Sequence, residues 1–386
     1  MYSGKEIIRA GERLLDADLM TMDPPGYSAA MDVLSYWRFS HERPLEIAFN
    51  VLQDVARKKD KSTIFAKRLK RYVSIVTKLR RYEKMKLKNM QDIGGCRVIV
   101  NNEKRLRQLV RELRKKPQFK GRDGKIRAKD YIGFPKADGY RGYHIIGNFG
   151  DSAIDQKSIE IQVRTSLQHD WATALEIVDL FTGQALKSNQ GTTDWKVFFR
   201  SVSDQFAVME SIHLFDTLSK EKKYDAYRKV ILSEPSHIEA CRLTQQSCSK
   251  LNVIARLQAF AHSLKIINLR LSEIPVSGYA LVEVDTEKKQ VRSTLYSEDL
   301  NSDAETRYIE LEKNAALTPH RVIALVSTTA VGGIKEAYPN YFADSTDFVQ
   351  HLFFITSIHL PLKNQLPWYK ALKNLFKSSQ VNEHFE

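Results

Sequence analysis

The stretch Ile159-Glu160-Ile161-Gln162-Val163-Arg164-Thr165 alternates apolar and polar residues without a break. Alternation of this kind predicts a half-buried strand, because successive side chains point to opposite faces of a sheet. Ile159, Ile161 and Val163 would face a core, and Glu160, Gln162 and Arg164 would stand together on the other face. A carboxylate, an amide and a guanidinium in one row suit a site that holds a metal ion and a polyphosphate.

Three further stretches carry residues of matching chemistry. In Arg68-Leu69-Lys70-Arg71 and the segment after it, Ser74, Lys78 and Arg81 fall at i, i+4 and i+7. They share one face of a helix expected from Arg71 to Tyr82. Arg68 and Lys70 are expected in the loop that enters this helix, where free N–H groups and the dipole attract anions. Cations and a hydroxyl so placed form a cradle for a triphosphate, although the glycines of a Walker loop are missing.

The next stretch is Asp92-Ile93-Gly94-Gly95-Cys96-Arg97. An aspartate at the start of a buried strand suits Mg²⁺, which takes one or two carboxylates plus phosphate oxygens. An Asp in a turn serves as a cap equally well. Arg97 has the flat guanidinium that stacks on a purine. The third stretch runs from Asp130 through Tyr131, Pro135, Lys136, Gly139, Tyr140, Arg141 and Gly142 to His144. Its interleaved aromatics and cations, Lys136 and Tyr140 above all, suit stacking on a base and contact with phosphate. An ordinary hairpin loop packed on its sheet has the same composition. After the opening strand come His169 and Glu176, seven apart and so on one helix face. A lone histidine in that setting is more often structural than catalytic.

The elements that must position these residues read as follows. Residues 1–57 are expected to be helical, with a long amphipathic segment over 28–58 divided at Pro44. A short strand is expected over 96–100 after a Gly-Gly turn, and a helix over 104–114. Strands follow at 129–132, 143–149 and 158–164, then helices over 167–180, 195–218 and 221–266 with a break at Pro235. A hairpin over 279–296, a helix over 304–314 and a strand over 322–327 begin a separate module near Pro275. The fold class is α+β: a mixed central sheet flanked by helices, then further helices and a small α/β module. The division is expected at 1–218 for the catalytic domain, 219–270 for a helical connector and 271–386 for a C-terminal module.

Bulk properties narrow the partners. The chain has 386 residues, a net charge of +14 and 42% apolar residues. A strongly basic protein favours anionic partners such as nucleotides or RNA. From Arg57 to Lys88 there are fourteen Lys and Arg against Asp60 and Glu83. No apolar run is long enough to span a membrane, and the charged N-terminus lacks the apolar core of a signal peptide. Cys96, Cys241 and Cys248 form no C-x-x-C pair, so neither a disulfide framework nor a cysteine zinc site is expected. A reducing cytoplasm fits.

Taken together, the four stretches resemble the RelA/SpoT nucleotide pyrophosphokinase family over roughly residues 40–185. The R-x-K-x-x-x-S-x-x-x-K run, the D-x-x-G-x-R strand, the D-Y-I-x-x-P-K-x-x-G-Y loop and E-x-Q-x-R-T are similar to its synthetase motifs and stand in the same order. The resemblance implies a nucleotidyltransferase-like domain that transfers the β,γ-pyrophosphate of ATP to a ribose 3′-hydroxyl. It implies that Arg68 and Arg97 sandwich the adenine and that Lys70, Ser74, Lys78 and Arg81 hold the phosphates. Asp92 and Glu160 would coordinate Mg²⁺, and Glu160 would also orient or deprotonate the attacking hydroxyl. Tyr140 would stack on the acceptor base, with Lys136, Gln162, Arg164 and His169 on the acceptor side. Long members carry a histidine-rich hydrolase domain before the synthetase. Only His41 stands in that region here, so removal of the product is not expected.

The C-terminal module contains Ala337-Tyr338-Pro339-Asn340-Tyr341-Phe342-Ala343-Asp344. This is either a structural turn or, by resemblance to the fused toxin–antitoxin members of the CapRel type, a Y-x-x-Y motif that blocks the ATP site. In that branch the module is zinc-finger-like without zinc, a phage capsid protein binds it, and the acceptor is the 3′-terminal adenosine of tRNA. Three functions follow: an autoinhibited tRNA pyrophosphokinase of anti-phage defence, a small alarmone synthetase acting on GDP or GTP, and a catalytically inactive RNA-binding module. The intact Asp92, Glu160 and basic run argue against the third. The segment from Leu360 to Glu386 has the spacing of an amphipathic helix.

Overall fold

The computed structural model describes residues 2–70, 72–121, 123–152, 154–182, 186, 191–258, 278–285, 288, 290–315, 321–327 and 346–361. The chain divides into two compact units, Met1–Lys136 with Arg141–Ser166 and Ala137–Tyr140 with Leu167–Glu386.

The first unit is built on a five-stranded mixed sheet. Its strands are β1 (Ile64–Leu69), β2 (Gly94–Val100), β3 (Ala128–Asp130), β4 (Tyr143–Phe149) and β5 (Lys157–Thr165), in the order β1-β2-β5-β4-β3. β2 and β5 run parallel, with Gly95 opposite Glu160 and Arg97 opposite Gln162. The remaining neighbours are antiparallel. Helices α4 (Glu42–Arg57) and α6 (Glu103–Lys115) pack on the apolar face. Leu52, Val98, Leu106, Leu109, Ile145, Ile161 and Val163 form the core between them. The alternation read in the sequence is therefore real: Ile159, Ile161 and Val163 are fully buried on one face, and Glu160 and Gln162 are half-buried on the other.

A second core lies among α1 (Gly4–Arg13), α3 (Pro24–Phe39) and α5 (Tyr72–Arg81), with Ile7, Leu14, Leu34, Ile75, Leu79 and Ile93 at its centre. α1 starts in a capping box, in which Ser3 and Glu6 each accept from the other's backbone N–H. α2 is the single turn Leu19–Met22. The long helix expected over 28–58 is interrupted at Ser40 and His41 rather than at Pro44. Pro44 lies in the first turn of α4, where a missing N–H costs no hydrogen bond.

Two expectations are corrected here. Arg68 belongs to β1, not to a loop, and the backbone N–H of Lys70 continues that pairing by donating to Ile93 O at 2.7 Å. An edge strand with one exposed side shows no clean alternation, which hid β1 in the basic run. Gly94 and Gly95 are the first residues of β2 rather than a turn. A Cβ on Gly94 would lie 2.6 Å from Ile159 Cδ1, so the residue is glycine for packing.

Among the described residues the second unit includes α7 (Ser166–Thr182), α8 (Thr193–Ser211), α9 (Lys220–Ser233), α10 (Pro235–Lys250), a three-stranded antiparallel sheet, and the helices Asn301–Ala315 and Thr346–Ser357. Pro235 occupies the first turn of α10 and separates it from α9, as the sequence suggests. The strands are β6 (Gly278–Asp285), β7 (Gln290–Ser297) and β8 (Arg321–Ser327), in the order β7-β6-β8. Leu281 and Ile323 of this sheet pack with Leu311 of the helix Asn301–Ala315.

The helix Thr346–Ser357 packs into the main helical core, where Phe348 and Leu352 join Trp171, Phe198, Phe206 and Tyr227. Each such buried aromatic or leucine contributes about 2 to 3 kcal/mol by removal from water. Gln245 of α10 fixes the end of that helix by donating to Ile355 O at 2.8 Å and Ile358 O at 2.9 Å. Among the described residues no helix is long and apolar enough to cross a membrane.

Candidate active site

The polar face of the five-stranded sheet collects most of the residues singled out in the sequence. In-register pairs share a face, so two rungs can be read across it. One runs Arg68, Gly95, Glu160 and the other Ala66, Arg97, Gln162, His144. Side chains two apart on one strand then link the rungs. Gln162 Nε2 donates to Glu160 Oε2 at 2.8 Å, and Arg164 Nη2 donates to Gln162 Oε1 at 3.2 Å. Arg164 is nevertheless 5% exposed, so its role includes structural support at the end of the row.

Asp92 lies just ahead of β2 and is held by two ammonium groups. Lys70 Nζ is 2.9 Å and Lys78 Nζ 2.8 Å from Asp92 Oδ2. Burial pushes this carboxyl up, but the two lysines outweigh it and hold it below the ordinary aspartate value. Its other oxygen, Oδ1, is buried with no hydrogen-bond partner among the described residues. A buried carboxylate oxygen left without a donor is costly unless a cation meets it.

Glu160 is the second acid of the site. His144 Nδ1 lies 3.0 Å from Glu160 Oε1, placed to donate from β4. Burial again works against ionisation, yet the hydrogen bond and charge of His144, the Gln162 amide and the charge of Lys78 bring the Glu160 carboxyl down to about 2. Lys78 thus acts on both acids and ties the α5 helix to the sheet. A carboxylate held that low is a weak base and a good cation ligand, which favours ligation and orientation of a hydroxyl over removal of its proton.

The donor set fits Mg²⁺. Among the described residues no cluster of three or more His, Cys, Asp or Glu is arranged for a metal. Two ionised carboxylates on one face, one with an orphaned oxygen, are what an ion completed by phosphate oxygens and water requires.

The remaining residues distribute as follows. Ser74 and Arg81 are exposed on α5, and the Arg81 guanidinium rests over the Tyr82 ring at 5.5 Å. Arg68 is exposed on β1, while its neighbour Lys67 turns to the other face and meets Glu46 of α4. Arg97 is half-buried on β2. Lys136 Nζ lies 4.7 Å from the centre of the Tyr131 ring, and that ring meets His144 edge-on at 5.3 Å. Tyr140 and His169 belong to the second unit. There the Tyr140 ring meets Trp171 at 6.3 Å, and Gly139 before it adopts φ +91°, a backbone state that suits glycine. Tyr338 and Tyr341 lie outside the described residues.

The role of His144 went unread in the sequence, although the signal was present. His144 alternates with Tyr143 and Ile145 in β4, and antiparallel pairing with β5 carries that polar position to Gln162.

Comparison with known proteins concerns the segment that carries these residues. Residues 67–177 match the model of the RelA_SpoT region, described as the region found in RelA / SpoT proteins. A probable chloroplastic GTP diphosphokinase, RSH3 of Arabidopsis thaliana, is 28% identical over 159 residues, or 41% of this chain and 20% of the relative. The chain thus spans about a fifth of the length of that curated relative. Among solved structures, the small alarmone synthetase 1 of Bacillus subtilis bound to its product pppGpp is 20% identical. That match covers 46% of this chain and 93% of the other, with a TM-score of 0.39. A GTP pyrophosphokinase family protein from Streptococcus pneumoniae is also 20% identical, over 52% of this chain and 98% of the other, with a TM-score of 0.40. Lys70, Lys78, Asp92, Arg97, His144 and Glu160 all lie within the segment that matches the RelA/SpoT region.

Proposed function

We propose that the chain is an ATP-dependent pyrophosphokinase whose acceptor is a ribose 3′-hydroxyl. The observation that carries this reading is the meeting of two ionised carboxylates and two lysines, Lys70 and Lys78, on one sheet face. In the reaction the 3′-oxygen of the acceptor forms a bond to the β-phosphorus of ATP. The bond from that phosphorus to the α,β-bridging oxygen breaks, AMP leaves, and the hydroxyl proton passes to solvent or a nearby base.

Asp92 and Glu160 would hold Mg²⁺, which when bound neutralises phosphate charge as the bridging bond breaks. Lys70, Ser74, Lys78 and Arg81 serve the phosphates, and Arg68 and Arg97 flank the adenine. Glu160, fixed by His144 and Gln162, orients the acceptor hydroxyl. Gln162, Arg164, Lys136, Tyr140 and His169 serve the acceptor. Positioning and charge neutralisation carry most of such chemistry, so the rate depends on this preorganisation.

The finer reading is a protein of anti-phage defence in the cytoplasm. Its acceptor is the 3′-terminal adenosine of tRNA, its catalytic domain spans 1–218, and a module over 271–386 restrains it through Tyr338 and Tyr341 until a phage capsid protein binds. The net charge of +14 supports an RNA acceptor. A second reading, synthesis of (p)ppGpp or an adenosine analogue, is favoured by the curated relative's name as a GTP diphosphokinase.

One experiment decides between them. The protein is incubated with γ-³²P-ATP and Mg²⁺ plus either GDP or deacylated tRNA, with and without capsid protein. Label on tRNA that depends on capsid protein supports the first reading, and label on GDP alone supports the second. No label on any ribose acceptor, with the protein folded and Mg²⁺ present, removes the pyrophosphokinase reading.

A further inference from the structure

The catalytic residues use only one face of the first unit. On the opposite side of the sheet, the C-terminal turn of α4 and the outer face of α6 enclose an open cleft of about 460 Å³. Lys58, Lys59, Arg105, Arg111 and Lys115 line it, with Gln108 and a lone carboxylate, Glu112. Glu112 is already shared between Lys115 at 3.0 Å and Lys59 at 3.8 Å. Lys58, Arg105 and Arg111 are exposed and have no carboxylate within 4.0 Å among the described residues. Lys116, also exposed, extends the basic surface beside Lys58 and Lys59.

The support beneath these cations is rigid. Leu106, Leu109, Val110 and Leu113 bury the inner face of α6, and Leu52, Val55 and Ala56 bury that of α4. Asn102 caps α6 by accepting from Arg105 N at 2.9 Å. From Arg105 to Lys115 the helix presents cations along roughly 15 Å, enough to meet several successive phosphates of a strand.

We propose that this cleft is a docking surface for the phosphate backbone of a structured RNA. Its lining contains neither an aromatic nor an aliphatic side chain, so it offers no platform for a base. A free nucleotide would gain only its phosphates there, whereas a backbone engages every cation. Contacts of this type position a nucleic acid without reading its sequence. The inference rests on the reading that RNA is the acceptor: the cleft anchors the body of the RNA while the sheet's polar face handles its 3′ end.

The test uses the full chain and fluorescein-labelled deacylated tRNA, followed by anisotropy over a series of salt concentrations. The triple variant K58A/R105A/R111A is expected to bind roughly 10- to 100-fold more weakly, with a salt slope shallower by about two to three. Glu112→Gln removes the lone anion and is expected to tighten binding, an effect that unfolding does not mimic. Pyrophosphate transfer to a small acceptor, a ribonucleoside phosphate or a CCA trinucleotide, is expected to be unchanged in both variants. Unaltered tRNA affinity and slope in the triple variant overturn the proposal. So does displacement of the tRNA from the cleft by ATP or GTP as a simple competitor, or equal binding of an acidic peptide, since the site is then one for nucleotides or for a protein. If label goes to GDP alone while RNA binding still responds to the cleft, the acceptor reading fails and the docking surface stands.

Discussion

The two sides of the first unit both concentrate positive charge but organise it differently. At the polar face of the sheet, the two lysines and the histidine nearest the acids are tied to them. Lys70 and Lys78 meet Asp92 beside the sheet, and His144 meets Glu160 between strands held in register. On the outer side of α6 the cations sit on long, mostly exposed side chains, and Glu112 is the one acid in the lining they share. Half-buried, hydrogen-bonded pairs fix atoms to within tenths of an ångström, as a metal and an in-line displacement require. Exposed cations are mobile and hydrated, and suit a ligand recognised by charge. The difference separates a chemical site from a docking surface.

The strongest way to break that contrast is to remove the acids. Asp92→Asn and Glu160→Gln are each expected to lower kcat by about 10³-fold or more, since on the proposed reading each charge serves a metal and a transition state. Circular dichroism and a thermal melt should show both variants folded. Transfer retained within tenfold by a pure variant would remove the metal-ligand assignment.

Ile161→Ala probes the buried side of the same strand. Ile161 is 0% exposed between α4, α6 and the sheet, and truncation is expected to cost about 2 to 4 kcal/mol in urea unfolding. Its kcat per folded molecule should change little. A large kcat loss at unchanged stability would mean that the two faces are not separable.

A smaller effect is expected from His144→Ala, because His144 acts through Glu160. Without the hydrogen bond and charge of His144, burial is opposed only by Gln162 and Lys78, and the Glu160 carboxyl rises from about 2. Loss of an outer-shell partner typically weakens a metal site by 10- to 100-fold. An Mg²⁺ titration of activity should show this, and the acid limb of kcat should move to higher pH. In the intact protein the Glu160 carboxyl is lowered on folding from 4.5 to about 2. Its stabilisation is therefore present in full above pH ~4.5 and lost as pH falls toward ~2. Unfolding of Glu160→Gln should lack that part of the acid dependence. An unchanged acid limb in His144→Ala would show that His144 is a bystander.

How much of this was legible in the sequence depended on periodicity. β5 was readable because both of its faces are committed, one to the core and one to polar groups. β4 was readable for the same reason, with bounds at Tyr143 and Phe149. β1 was not, because an edge strand that exposes Ile64, Ala66 and Arg68 offers no alternation, and its charges read as part of a helix entry. That error put Arg68 in a loop, whereas it stands in a rung of the sheet, opposite Gly95. The site residues were named from their types, but their bonding was not. Nothing local to Asp92 foretells that Lys70, on the neighbouring edge, and Lys78, two turns into α5, reach the same oxygen. His144 escaped because its partner is sixteen residues away and is set by strand pairing.

The adjacent glycines of β2 give the finest test of the contrast, because they face opposite ways. A Cβ on Gly94 would stand 2.6 Å from Ile159 Cδ1 and 3.7 Å from the Cβ atoms of His41 and Leu45, under α4. Gly94→Ala must displace a side chain in a filled core, which costs about 1 to 3 kcal/mol. A Cβ on Gly95 would meet nothing closer than Glu160 O at 3.7 Å, an ordinary contact. Gly95→Ala should therefore leave stability within about 1 kcal/mol of the parent, since alanine also narrows the unfolded ensemble. Its methyl group, however, would stand on the polar face between Arg68 and Glu160, on the floor that the adenine reading reserves for the nucleotide. The KM for ATP should rise by a few-fold, roughly 1 kcal/mol in binding, with kcat for bound substrate less affected. Stability lost in Gly94→Ala alone and ATP affinity lost in Gly95→Ala alone would assign the two faces their separate tasks at a resolution of one residue. If Gly95→Ala binds ATP as the parent does, the adenine does not lie over that rung, and Arg68 and Arg97 hold it elsewhere on the face or not at all.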